Sequence, residues 1–292
     1  MAMTISICIP HYGNQAFLAE ALRSAIAQTI MPAEVVISLD GPVDDAFKQQ
    51  FEAPCPIRWV ENQIPGIPSN WNNAVANATG DYVVLLHSDD VLAPDYLSVI
   101  ESLQKRKPES AAWFCGVTVI DDNGAPTVTV GDWVKRLITP RRYIYDLHGD
   151  GGLSKLLFGC FIYCPTVCFR REILQQFEFD ERWSMVPDLA HYASLLEAGH
   201  SITGTKEQAF YYRRHTEATT QKLTRTLDRF SEEWRFYNEL RRTLDRSLWP
   251  KAVTHAKVKI MLRLHCGLEC AKALIKLDLR RAVRLVKQIL TP

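Results

Sequence analysis

One continuous stretch, residues 81–90, constrains the fold of this chain more than any other part of its sequence. Its apolar residues 82–86 predict a buried strand, which runs without a break into a polar segment ending in Asp89 and Asp90. The carboxyl end of a core strand is the edge at which open α/β sheets bind ligands. Adjacent carboxylates repel each other unless a proton or a cation lies between them. The stretch therefore indicates either a metal and diphosphate site or a capped turn before a helix.

Hydrophobic periodicity predicts that strands and helices alternate in the first third of the chain. The predicted strands are residues 5–9, 35–39, 57–60 and 82–86, and the predicted helices are residues 15–29, 69–77 and 94–105. Strands joined by helical crossovers form parallel sheets. We therefore predict an α/β fold with a mixed, mainly parallel sheet flanked by helices.

The middle of the chain contains one more clear strand pattern. Residues 112–120 predict an apolar strand, and the sequence DDNG at 121–124 predicts a tight hairpin turn into a strand at 127–130. Residues 133–152 mix arginines, aromatic residues and glycines without a clear period. Two interpretations of that segment stay open: a mobile acceptor loop that closes over the donor, and an ordinary surface loop.

The composition is that of a folded, soluble protein and narrows the classes of function. A formal net charge of +1 gives no electrostatic reason to expect a nucleic-acid partner. The eight cysteines include no CxxC pair, and we predict that Cys160, Cys164 and Cys168 are reduced core thiols rather than zinc ligands. The sequence shows neither an N-terminal signal nor an apolar run of membrane-spanning length. The expected location is cytoplasmic.

Polar residues follow three of the predicted strands. Tyr12 and Asn14 come after the first strand, Asp40 ends the second, and Asp89 and Asp90 end the fourth. Because the carboxyl ends of parallel strands meet at one edge of a sheet, we expect these side chains to converge. Such convergence favours a nucleotide site over isolated turn caps.

The helix predicted at 69–77 is rich in asparagine, which lowers helix propensity. This cost is easier to understand where some of the amides face a polar ligand. Capping and solvent exposure are the cheaper explanations for Asn70 and Asn77.

Six short segments occur in an order and spacing that resemble a known family. They are IPHYGN (9–14), VVISLDGP (35–42), ENQIPG (61–66), NNA (72–74), TGDY (79–82) and LHSDD (86–90). Together they are similar to the inverting glycosyltransferases of family two, which have a GT-A fold. The resemblance implies a nucleotide-diphospho-sugar donor, a divalent metal ion (Mn or Mg) and a single carboxylate base. It also implies a glycan or lipid-linked acceptor, in the synthesis of polysaccharide, lipopolysaccharide or another glycan.

The resemblance also assigns expected roles to individual residues. The residues expected to bind the donor are Pro10, Tyr12, Asn14, Asp40, Asn72, His87, Asp89 and Arg213. The expected metal ligands are Asp89, Asp90 and His215. His87 stands where the metal motif usually opens with an aspartate, and we expect it to bond a ribose hydroxyl or to cap the strand.

Asp188 is the residue expected to act as the catalytic base. It follows Pro187 at the start of a predicted amphipathic helix, where the family has an acid followed by an aspartate. A sugar hydroxyl is a poor nucleophile until its proton has somewhere to go, so the chemistry needs such a group. The helix N-terminus is expected to stabilise the anion. From the residues alone, a plain N-cap is the alternative.

The segment FYYRRHTE at 210–217 resembles a further signature of the family, an aromatic residue followed by Arg-x-His. Its cations would neutralise the leaving diphosphate, and His215 would complete the metal shell. Because side chains alternate along a strand, at most two of Arg213, Arg214 and His215 are expected to reach the ligand. A solvated basic edge is the alternative.

We predict a GT-A catalytic domain at 1–219 and a helical region at 220–292. Within the domain, residues 1–95 form the nucleotide-sugar half, and residues 96–219 form the acceptor and base half. The helical region is predicted to contain helices at about 252–277 and 278–290, and residues 251–290 hold ten lysines and arginines against two acids. Two interpretations stay open: peripheral contact with an anionic membrane, at the cytoplasmic face of an inner membrane, and packing on the catalytic domain or a second subunit.

The combined prediction is an inverting glycosyltransferase that moves a sugar to an acceptor hydroxyl. A catalytically silent protein that binds a nucleotide-sugar or a glycan on the same fold is the alternative. Leu39, His87 and Pro187 keep it open, because each replaces an acid that the family usually has. A nucleotidyltransferase is disfavoured, since no glycine-rich, basic phosphate loop follows the first strand.

Overall fold

The computed structural model describes residues 3–215 and 219–290, which form a layered α/β structure. In chain order the strands are β1 (Ile5–His11), β2 (Glu34–Leu39), β3 (Ile57–Glu61), β4 (Tyr82–Leu85), β5 (Val91–Leu92), β6 (Ala112–Ile120), β7 (Ile144–Leu147), β8 (Val167–Arg170) and β9 (Ile202–Arg213). The helices are α1 (Gln15–Ile26), α2 (Asp45–Lys48), α3 (Ile67–Ala76), α4 (Tyr96–Arg106), α5 (Val130–Ile138), α6 (Gly149–Phe158), α7 (Arg171–Gln176), α8 (Pro187–Glu197), α9 (Thr219–Thr226), α10 (Asp228–Thr243), α11 (Pro250–Val258), α12 (Ile260–Ile275) and α13 (Leu279–Leu290). All the helices and strands predicted in the first 120 residues are present, with shifts of a few residues at their ends.

The strands form one mixed sheet in the order β3-β2-β1-β4-β8-β6-β9-β5, with β7 also paired to β9. The first four strands in that order are parallel, β8 runs antiparallel to both its neighbours, and β6 and β9 are parallel. The carboxyl ends of β1, β2 and β4 therefore meet at one edge, as the sequence predicts. The prediction of a mixed, mainly parallel sheet flanked by helices is confirmed.

Both faces of the sheet are buried, and β4 shows why its sequence is an unbroken apolar run. Val84 and Leu86 pack on the side covered by α1 and α4, while Val83 and Leu85 pack on the side covered by α3, α6 and α8. A strand buried on both faces needs apolar residues at every position. The polar residues that follow it at 87–90 mark the point at which the chain leaves the core.

The structure differs from the prediction between residues 127 and 158. The turn at 121–124 forms, with the Gly124 N–H donating to the Asp121 carbonyl, but pairing beyond it is limited to a bridge between Ile120 and Pro126. The chain then enters α5 instead of a second strand, because Thr129 and Asp132 form a reciprocal capping box at its N-terminus. The segment predicted as a loop at 133–152 contains most of α5, all of β7 and the start of α6.

The C-terminal helices share a core with the sheet. Phe230 and Trp234 of α10 belong to the same apolar cluster as Leu153 and Leu156 of α6. The helix predicted at 252–277 is two helices, α11 and α12, which are separated by Lys259 in a left-handed conformation with φ 52°. Across the described ranges, no helix combines the length and apolar character needed to cross a bilayer.

All eight cysteines are free, and seven of them are buried. Burial raises the pKa of Cys160, Cys164 and Cys168, so these thiols stay protonated. Cys164 and Cys168 are buried core thiols, as predicted, whereas Cys160 is half-buried against the same core.

Candidate functional site

A large cleft of about 1520 Å³ opens at the carboxyl edge of the parallel strands. It extends from the ends of β1, β2 and β4, past the start of α8, to the inner surfaces of α10 and α12. Eleven different residues were predicted for the donor, metal and base sites. Nine of them line the cleft, and the two that do not are Asn72 and Asp90.

The end of the cleft nearest β1 and β2 carries the residues predicted to hold the nucleoside. Tyr12 is exposed beside the cleft, and Asn14 caps α1 by accepting the Ala16 N–H at 2.9 Å. Asp40 accepts the Gly66 N–H at 3.0 Å. Gly66 has a φ of 146°, which side chains rarely adopt, so glycine lets this N–H turn toward Asp40. The turns after β1 and β2 thus form one polar wall.

The asparagine-rich helix α3 faces the cleft through a different residue from the one predicted. Asn72 donates to the Phe179 carbonyl and accepts the Phe179 N–H, both at 2.9 Å, so its amide clamps α3 to the chain before α8. Asn70 lines the cleft, donates to the His11 carbonyl at 3.2 Å, and has a buried side-chain oxygen without a partner. Of these two amides, Asn70 lines the cleft and Asn72 does not.

His87, Asp89 and Asp90 form a compact cluster at the end of β4. One ligand atom from each lies within 4.8 Å of the others. The Nε2 atom of His87 and one carboxylate oxygen of Asp90 are buried without a hydrogen-bond partner. An imidazole nitrogen and carboxylate oxygens are donors that Mn²⁺ accepts, so the cluster fits a divalent cation.

Burial and neighbouring charges shift the pKa values of the three side chains in this cluster in different directions. Burial opposes ionisation of Asp89, but the hydrogen bond from His215 and the nearby imidazoles lower its pKa. Burial and the charge of Asp89 raise the pKa of Asp90 well above its usual range. Burial also lowers the pKa of His87, which keeps a lone pair free on its ring. A divalent cation would stabilise the anionic forms of both carboxylates.

Two residues predicted to contact the donor or the metal instead hold the Asp89 loop. Arg213 donates to the carbonyls of Asp89, Asp121 and Asp122, and it pairs with Glu20. Its own backbone N–H donates to Asp90 at 2.7 Å. His215, predicted as a metal ligand, bonds an Asp89 oxygen at 2.9 Å through Nε2. The structure thus gives Arg213 and His215 supporting contacts behind the cluster.

Asp188 lies at the first turn of α8 and lines the same cleft. Burial raises its pKa, although the backbone N–H groups of the helix start and the Lys135 ammonium act in the opposite direction. The helix N-terminus stabilises the anion in the expected direction, but desolvation is the larger effect here. A carboxylate with a raised pKa is a stronger base than an exposed one.

The helical region positions this carboxylate. Glu232 of α10 accepts the backbone N–H groups of Met185 and Val186, at 2.5 Å and 3.1 Å, just before α8 begins. Glu233 lines the cleft beside it and contributes to the raised pKa of Asp188. The C-terminal helices therefore support the candidate base and form one wall of the site.

Two further cations lie on the cleft: Arg214, which the sequence analysis names among residues 213–215, and Lys135, which it does not single out. Lys135 of α5 donates to the Ile162 carbonyl at 3.2 Å and lies 4.0 Å from the Tyr163 ring centre. Arg214 pairs with the fully buried Asp132 at 2.7 Å. That guanidinium, with the other hydrogen bonds to Asp132, outweighs burial and lowers the pKa of Asp132 to about 2. The sequence signal that could have revealed Lys135 is the Thr129-x-x-Asp132 capping pattern, since it predicts the helix that carries this lysine.

Comparison with known proteins identifies the family of this chain. The family description "Glycosyl transferase family 2" matches residues 6–176, which is more than half of the chain. An uncharacterized glycosyltransferase of Rickettsia prowazekii is 25% identical over 234 residues, which cover 79% of this chain and 70% of that protein.

Solved structures share the fold at low sequence identity. TarS of S. aureus in complex with UDP-GlcNAc has a TM-score of 0.67 and 15% identity, over 88% of this chain and 72% of that one. The mannosyltransferase PcManGT of Pyrobaculum calidifontis, in complex with GDP-Man and Mn²⁺, has a TM-score of 0.61 and 15% identity, over 99% and 86%. The predicted GT-A fold is confirmed. The chain belongs to glycosyl transferase family 2.

Proposed function

We propose that this protein transfers a sugar from a nucleotide-diphospho-sugar to an acceptor hydroxyl, with inversion at the anomeric carbon. The observation that carries the proposal is that one cleft contains both the His87, Asp89 and Asp90 cluster and the base candidate Asp188. A metal ion held by the cluster would neutralise the donor diphosphate, and the acceptor hydroxyl needs a carboxylate to take its proton.

The donor occupies the end of the cleft at β1, β2 and β4. Tyr12, Asn14 and Asp40 contact its nucleoside, and Asn70 replaces Asn72 as the amide that faces it. TarS and PcManGT, solved with UDP-GlcNAc and GDP-Man, are members of the same fold and support a nucleotide-sugar as the ligand class.

His87, Asp89 and Asp90 are the residues that would hold a divalent metal ion. Such an ion, when bound, neutralises negative charge on the donor diphosphate. Arg213 and His215 keep Asp89 and Asp90 in place through the contacts described above. Arg214 and Lys135 add positive charge on the cleft wall as the nucleoside diphosphate departs.

Asp188 takes the proton from the acceptor hydroxyl. The hydroxyl oxygen forms a bond to the anomeric carbon on the face opposite the diphosphate, and the bond between that carbon and the diphosphate oxygen breaks. The proton stays on the Asp188 carboxylate until it returns to solvent. The raised pKa supports this role, because it makes Asp188 a better proton acceptor than an exposed aspartate.

We expect Lys135→Met to shift the acidic limb of the pH profile of kcat/KM upward. The Lys135 ammonium lowers the pKa of Asp188, so its removal allows that pKa to rise further. Activity requires the ionised base and therefore increases as pH rises through this pKa. Lys155→Met, an exposed lysine on α6 outside the cleft, should leave the limb unchanged. An unshifted limb in Lys135→Met would show that this lysine does not interact with the base.

The proposed donor class can be tested by titration calorimetry with a panel of UDP-, GDP-, ADP-, CMP- and dTDP-sugars, with and without Mn²⁺ or Mg²⁺. We expect one nucleotide class to bind, and to bind more tightly with metal. Binding without any turnover in the presence of diverse acceptors would favour the silent binding protein. Absence of binding to every sugar nucleotide would refute the donor site.

A further inference from the structure

The turn between α12 and α13 carries a concentration of exposed apolar side chains. Leu274, Ile275, Leu277 and Leu279 are all exposed, and Ile275 and Leu277 each keep 83% of their surface in solvent. Apolar side chains clustered in water are unfavourable unless another surface covers them. This group, together with α12 and α13, is called the hairpin below.

The backbone makes Leu277 the most informative member of the group. Its φ is 57°, in the left-handed region, where a helix usually ends in glycine. Leu227 and Lys259 share this conformation among the described non-glycine residues, but their side chains are 7% and 1% exposed, so packing offsets the strain. Leu277 has no such compensation within the chain. A strained and exposed leucine points to a contact outside the chain.

The apolar surface continues along α13. Leu279, Val283, Val286 and Leu290 are exposed and recur at intervals of three or four residues, so they form one stripe. Ala282 and Leu285 are the buried residues that pack α13 on the rest of the protein. At about 100° per residue, the exposed stripe and the buried pair lie on different sides of the helix. The stripe is therefore available to a partner while α13 stays packed.

The charges around this surface indicate which partner covers it. Lys276, Arg280 and Arg284 are exposed beside the stripe, and residues 251–290 contain ten basic residues and two acidic ones. A second copy of this face would bring like charges together, which disfavours a symmetric dimer. An apolar stripe bordered by lysine and arginine is complementary to an anionic lipid surface.

We propose that the hairpin docks on an anionic lipid surface, with Leu277 and its apolar neighbours in the interface and the basic residues at the headgroups. Leu264 and Leu268 of α12 also line the cleft, at the end beyond Asp188. Docking therefore brings this end of the cleft close to the lipid. That consequence rests on the proposed function, because it would favour an acceptor held by a lipid, whereas lipid binding itself does not depend on it.

The test is co-sedimentation of the full chain with vesicles of phosphatidylcholine alone or mixed with phosphatidylglycerol. We expect binding to the anionic vesicles, weakened by salt and absent on neutral ones. Leu277→Gly and Leu277→Asn should each weaken binding about tenfold, while Tm stays the same or rises, because both residues tolerate the left-handed backbone. The double variant Lys276→Glu, Arg280→Glu should weaken it by about 20-fold or more.

A matched control is Met31→Gln, which removes an exposed apolar side chain from the loop between α1 and β2. Its vesicle binding should equal that of the wild type. Equal binding to neutral and anionic vesicles, or no binding to either, would overturn the proposal. A large fall in Tm in Leu277→Gly, or a dimer in light scattering that this variant abolishes, would also overturn it, since the side chain would then serve packing or self-association. None of these readouts depends on sugar transfer.

Discussion

Asp188→Asn is expected to lower kcat by about a thousandfold and to leave donor affinity within about twofold of the wild type. Asparagine has nearly the same shape as aspartate, so α8 and its contacts to the backbone should persist. It cannot accept the proton of the acceptor hydroxyl, and the attack on the anomeric carbon loses its base. Initial rates with a saturating donor, together with calorimetric binding of the donor, check both parts.

Glu233→Gln is the matched control for this prediction, because Glu233 is a carboxylate on the same cleft that the proposed mechanism does not use as base. It should lower kcat by less than about tenfold. If Glu233→Gln abolished transfer while Asp188→Asn retained it, the base would be Glu233. If both variants kept full activity, the carboxylate mechanism would be wrong.

Asp89→Ala is expected to weaken metal-dependent donor binding by more than about 100-fold. The change removes one carboxylate from the His87, Asp89 and Asp90 cluster and leaves His215 without its partner. Calorimetric titration of the donor in the presence of Mn²⁺, and of Mn²⁺ in the presence of the nucleoside diphosphate, measures the loss. The same titration without metal should give weak binding for both proteins.

Asp122→Ala provides a matched control for Asp89→Ala. Asp122 also lines the cleft, and its contact with Arg213 uses the backbone carbonyl, which survives the substitution. We expect unchanged affinity for metal and donor. Equal losses in the two variants would indicate a general effect of negative charge in the cleft rather than a specific metal site.

The fold of residues 1–95 was predictable because its signals are local. Each of β1, β2 and β4 is an apolar run followed directly by polar residues, and parallel pairing then brings Tyr12, Asp40 and Asp89 to one edge without further information. Asp188 became the candidate base only through the family resemblance, since Pro-Asp at a helix start is equally typical of an N-cap.

The sequence was least informative about residues whose orientation depends on tertiary packing. Asn70 and Asn72 lie about 200° apart around α3, so only one can face the cleft, and the sequence does not say which. Arg213, Arg214 and His215 all line the cleft, and strand alternation did not show that Arg213 is buried and donates to the Asp89 carbonyl. The pKa of Asp188 depends on how deeply the surrounding elements bury it, which no local pattern encodes.

The most direct test of the central claim is release of a nucleoside diphosphate from the sugar nucleotide that binds, measured with and without Mn²⁺ or Mg²⁺. The measurement compares the wild type with Asp89→Ala and Asp188→Asn. The proposed function predicts metal-dependent release by the wild type, loss of both binding and release in Asp89→Ala, and loss of release alone in Asp188→Asn. Release that is equal in all three proteins, or independent of metal, would contradict it.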